Sequence, residues 1–78
     1  MNPERARLLT ELAQIVELLA VERRHVDNMA AHLEKVRSAG WAEGAARAQA
    51  LIEARQSRIA NVERQRDVLV KAIGNTVE

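Results

Sequence analysis

Two histidines, two serines and one Glu-Arg-Arg run are the residues of this chain whose types could do chemistry. His25 and His32 stand seven residues apart. On a helix that spacing keeps them on one face but separates them by ~10 Å along the axis, too far to share one metal ion. They read as solvated histidines. Ser38 and Ser57 have no His–acid arrangement to activate them, and there is no Cys, no HExxH and no glycine-rich phosphate loop. The carboxylates alternate with arginines as they do on solvated helix faces. The expectation is a chain without catalytic residues, metal site or cofactor.

Glu22-Arg23-Arg24, with Arg7, Lys35 and Arg47 around it, resembles the basic, leucine-rich first helix of the small helical chorismate mutases. That resemblance implies arginines turned inward to meet substrate carboxylates. Here Arg7, Arg24 and Lys35 fall on the face away from the Leu12/Leu19/Val26 line, and no third helix is in view. Nucleic acid is the other polyanion to weigh. Arg47, Arg55, Arg58, Arg64, Arg66 and Lys71 make the second half mildly basic. They are scattered around the helix and broken by Glu53, Glu63 and Asp67, with no aromatic stacking platform. Neither reading competes with protein binding.

The elements that carry these residues follow from composition and period. Seventy-eight residues make at most one small domain. Apolar residues are 47% of the chain, yet Trp41 is the only aromatic, and the weight in Leu, Ile, Val and Ala suits slender, closely packed helices. With zero Cys there is no disulfide staple, which leaves association with a partner as the usual way to stabilise so small a chain. Twelve basic and eleven acidic residues give a net charge of +1, so no strong field points to a membrane surface or a nucleic acid. The longest apolar stretch, Leu18-Leu19-Ala20-Val21, is far too short to span a bilayer. Acidic Glu4 is unlike a signal peptide's basic start, so the expectation is either the cytoplasm or export without a cleaved leader.

Asn2-Pro3-Glu4 opens a helix: Asn caps, Pro is tolerated at the first position, and an acid suits the positive end of the dipole. Leu8, Leu12, Ile15, Leu19, Val26, Met29, Leu33 and Val36 then recur in steps of four and three, with Glu22 taking one seam position. The spacing predicts a helix over about 3–38. Gly40 reads as the residue that ends it, and the turn is expected over about 39–44, through Trp41 and Gly44. A second stripe, Ala45, Ala48, Ile52, Arg55, Ile59, Val62, Arg66, Leu69 and Ile73, predicts a helix over about 45–73, starting as early as Ala42 and stopped by Gly74-Asn75. The fold class is all-α, an antiparallel two-helix hairpin forming a single unit over 1–78.

Beside these seams stand Leu9, Val16 and Leu18 on the first helix and Val68 and Val70 on the second. They widen the apolar faces beyond what one hairpin contact covers. Together with Trp41 they are the candidate protein-interaction residues, and a dimer of hairpins would be a four-helix bundle. Glu22, Arg55 and Arg66 form a polar seam. Pairing about residue 41 sets Glu22 opposite the region of Asn61 rather than either arginine, so these charges are expected to fix register or partner, or to reach water along their stems.

The segment Gly40-Trp41-Ala42-Glu43-Gly44-Ala45-Ala46 between two long helices resembles the WXG family, the small helical hairpins exported by type VII secretion systems. The resemblance makes Trp41 the family Trp and Gly44 the family Gly, and implies dimerisation into a four-helix bundle with itself or a related hairpin. The spacing here is W-x-x-G, one residue longer than W-x-G, and the chain is shorter than the family's usual length of about one hundred. It has no Tyr, so the family's YxxxD/E export signal would have to come from a partner. The alternative is a small intracellular helical adaptor, of the kind phages make to occupy a host protein, which presents one hairpin face to a groove.

Overall fold

The computed structural model describes residues 2–76 and contains two helices, α1 (Pro3–Ser38) and α2 (Ala42–Asn75), and no strand among them. They fold back on one another as a rod 59 × 14 × 11 Å. The start of α1 is built as its sequence dictates. The Asn2 side chain accepts hydrogen bonds from the Glu4 N–H at 3.0 Å and the Arg5 N–H at 3.4 Å, and Pro3 occupies the position whose N–H would go unused.

The reversal between the helices is a Schellman turn. Gly40 adopts φ +77°, the left-handed conformation that costs other residues roughly 1–2 kcal/mol. The Gly40 N–H donates to the Arg37 carbonyl at 3.0 Å, and the Trp41 N–H donates to the Val36 carbonyl at 3.2 Å. These bonds close the end of α1 and deliver Trp41 directly into the N-cap position of α2, where its carbonyl accepts from the Ala45 N–H at 3.0 Å. The second helix therefore begins at Ala42, the earlier of the two expected starts, and Gly44 lies inside its first turn rather than in the connection. At the far end Gly74 and Asn75 are helical instead of stopping the helix. Thr76 does that: its N–H and its hydroxyl both donate to the Ile73 carbonyl, at 3.2 and 2.7 Å. Of the single unit expected over 1–78, residues 1, 77 and 78 lie outside the described residues.

Two rods in contact along one line have a seam, not an interior. Leu8, Leu19, Leu33 and Val36 of α1 are buried against Ala48, Ile52, Val62 and Ile73 of α2, and Leu19 is the most enclosed at 2% exposure. Leu12, Ile15, Val26, Met29, Ala45, Ile59 and Leu69 are half-buried. The apolar positions of both expected stripes are thus all buried or half-buried, as the alternating three-and-four spacing requires. Small side chains near the turn, with Ala48 packed against Leu33 and Ile52, bring the helices together there.

Candidate functional site

The polar seam differs from its expected geometry. Glu22 is buried, at 6% exposure, and both its carboxylate oxygens accept from the Arg55 guanidinium, at 3.1 and 3.4 Å. The long Arg55 side chain reaches Glu22 along the seam from a position thirty-three residues further on. Charges expected to stand apart therefore neutralise each other within one chain. No buried side-chain polar atom among the described residues lacks a partner. Arg66, half-buried, turns sideways to Asp67 at 3.2 Å.

Leu9, Val16, Leu18, Val68, Val70 and Trp41 are all exposed, and so are Val21 and Leu51, which lie outside both stripes. The structure does not bring the five open-end residues into one patch. Arg23 bonds Glu63 across the hairpin at 3.0 Å, which fixes one flank. Leu9 and Val16 share the heptad position of Arg23, and Val70 shares that of Glu63, so these three lie on that flank. The opposite flank is marked by a groove between His25, His32 and Leu51. Leu18 repeats the position of His25, and Val68 repeats that of Ala54, which lines the same side beside Leu51. Leu18 and Val68 thus belong with Leu51, not with Val70.

The turn-end half of this second flank carries three adjoining shallow grooves that share lining residues and together form a trough. One stretch of about 230 Å³ is lined by His25, Asn28, Met29, His32, Ala48 and Leu51. It continues toward the open end past Ala54, Arg55 and Arg58, and toward the turn past Trp41, Gly44 and Arg47. Leu51 lines all three stretches and is 60% exposed. Four of the grooves among the described residues have volumes of 210 to 340 Å³, at or below the low end of small-molecule sites. Trp41 closes the turn end. Its indole lies on Gly44 so closely that a Cβ there would stand 2.5 Å from two ring carbons. Gly44 is buried beneath the ring of a residue that is itself 55% exposed.

One residue was missed outright. The Arg5 guanidinium reaches across the open end to the Ile73 carbonyl at 3.4 Å, the Thr76 carbonyl at 3.5 Å and the Thr76 hydroxyl at 3.4 Å. A cation there meets carbonyls left over at the end of α2 and complements its dipole. Its seam register, fourteen residues before Leu19, was the available signal. Of the Glu-Arg-Arg run, Glu22 turns inward, Arg23 bridges to Glu63, and Arg24 is exposed, as are Arg7, Lys35, Ser38 and Ser57. No helix of the described residues is long and apolar enough to cross a membrane. Compared with known proteins, the chain matches no family model, no curated protein and no solved structure.

Proposed function

We propose that this chain is a non-enzymatic protein–protein interaction module, a helical hairpin that pairs with a second copy or a related hairpin to form a four-helix bundle. The observation that carries this reading is the set of large aliphatic side chains the hairpin leaves exposed on one flank, Leu9 at 46%, Val16 at 50% and Val70 at 51%. Full burial of such a side chain contributes roughly 1.5–3 kcal/mol, so each half-exposed one retains about 1 kcal/mol to gain. In a two-fold dimer every contact residue counts twice. Leu9, Val16 and Val70 from both copies then offer about 6 kcal/mol, against an association cost of roughly 4–15 kcal/mol. Pairing is therefore weak.

The WXG resemblance belongs to this reading. The extra residue in W-x-x-G is accommodated because Trp41 and Gly44 stand three apart on one helical face, where ring and glycine touch. Sedimentation equilibrium over a concentration series into the high micromolar range tests the proposal. The mass should rise from one chain toward two. A single-chain mass throughout, with no related hairpin bound, ends the bundle reading.

A specific observation favours the adaptor as the second reading. One flank suffices for a four-helix dimer, yet exposed apolar residues stand on both. A hairpin that also serves a client has use for the second.

A further inference from the structure

We propose that the trough on the turn-end half of the second flank is a docking site for an acidic amphipathic helix of another protein. This goes beyond the pairing of hairpins, which uses the other flank.

The floor is apolar: half-buried Met29, buried Ala48 and strongly exposed Leu51. The rim is cationic. The ionisable residues lining the three stretches are His25, His32, Arg47, Arg55 and Arg58, without one carboxylate, in a chain with eleven acidic residues and a net charge of only +1. Arg55 is committed to Glu22. Arg47 holds Glu43 at 3.2 Å in an exposed i,i+4 pair of the kind that exchanges readily for another carboxylate. Arg58 makes no ion pair among the described residues. Two free or exchangeable guanidinium groups thus stand beside Leu51 and call for acids on the occupant.

The occupant is helical because the walls are helices, whose backbone N–H and C=O groups are spent internally. An extended peptide would find no ladder to join, whereas a helix brings its own hydrogen bonds and needs only a groove. From Gly44 to Arg58 the trough runs fourteen residues at ~1.5 Å each, roughly 21 Å, or about four turns of the docked helix. Leu, Ile or Met at i, i+3/i+4 and i+7 would cover Met29, Ala48 and Leu51, with Asp or Glu beside them toward Arg47 and Arg58. A second copy of this chain fits less well, since a two-fold pairing here would set this arginine-bearing, carboxylate-free trough against its like. A nucleic acid would leave the apolar floor uncovered.

The test uses the full chain and a small set of labelled amphipathic peptides about 18 residues long, with Leu, Ile and Met permuted along one face. Each is made with Glu flanks and as a twin with Lys flanks. Fluorescence anisotropy should show members of the Glu set binding about tenfold tighter than their twins at low salt, with the gap closing as salt rises. Leu51→Asp and Arg58→Glu, both on exposed residues, should each cost about tenfold while leaving the circular dichroism unchanged. The proposal is overturned if no Glu-flanked peptide binds, if the Lys twins bind equally, if neither substitution weakens binding, or if duplex DNA displaces the peptide. It is also overturned if Leu51→Asp dissociates a dimer, which would make the occupant a second copy. Because self-association is assigned to Leu9, Val16 and Val70, sedimentation of the Leu51→Asp chain separates failure of this site from failure of the bundle.

Discussion

Glu22 and Arg55 meet across the hairpin at 3.1 Å, the carboxylate almost wholly buried and the guanidinium about a third exposed, at 32%. A charge pair in a seam built mainly of aliphatic side chains costs desolvation that its attraction only partly repays, and removing one partner leaves the other stranded. Arg55→Met should therefore destabilise the hairpin. Breaking a fully buried pair costs roughly 3–5 kcal/mol, and the exposure of Arg55 reduces that to about 1–3 kcal/mol. Adding Glu22→Leu should restore or exceed the original stability. Urea midpoints of the two single variants and the double variant close the cycle, and additive effects would refute the coupling.

Gly44→Ala should behave opposite to helix propensity. Ala normally gains about 1 kcal/mol over Gly inside a helix, but here the new methyl would collide with the Trp41 indole. The ring must swing into solvent, and because Trp41 is the only tryptophan, its emission should shift to the red. Gly74→Ala is the control, since nothing stands within 4 Å of a Cβ there. That substitution should stabilise modestly and leave the emission alone. An unchanged spectrum for Gly44→Ala would remove the packing argument.

The seam was legible in the sequence because an alternating three-and-four spacing has one consequence in an antiparallel pair: residues such as Leu33 and Ile52 must face each other. The cap at Asn2 and the positive φ of Gly40 follow from local chemistry and were equally readable. The Glu22–Arg55 bond was not, because a side chain as long as Arg reaches past the residue its backbone faces. The division of the exposed residues into two flanks was hidden for a different reason. A stripe marks residues that turn inward, while neighbours on either side of it look alike until a cross-link such as Arg23–Glu63 tells the flanks apart. Leu51 was overlooked because Ile52, beside it, absorbed the seam assignment.

Arg5 ties the first turn of α1 to the last carbonyls of α2, so its loss should loosen the open end alone. Arg5→Ala is expected to cost about 0.5–1.5 kcal/mol, the usual worth of hydrogen bonds that are partly exposed. Amide exchange at Ile73, Gly74 and Thr76 should accelerate while Leu33 and Ile52 near the turn keep their protection. Uniform acceleration along both helices would mean that Arg5 contributes to global stability rather than holding the end.

The two flanks can be told apart by charge. Glu placed at an interface desolvates a carboxylate against apolar neighbours, and in a two-fold dimer it does so twice, so association as weak as that proposed should not survive it. Val16→Glu with Val70→Glu should give a chain that sediments as a monomer at every concentration, with unchanged helicity because both positions are exposed. Leu18→Glu with Val68→Glu places the same charges on the opposite flank and should leave the dimer intact. The contrast has content only because the Arg23–Glu63 bridge separates these residues in space. If the second pair of substitutions dissociates the dimer and the first does not, hairpins pair through the flank of Leu51. Leu9, Val16 and Val70 then lose their assigned role.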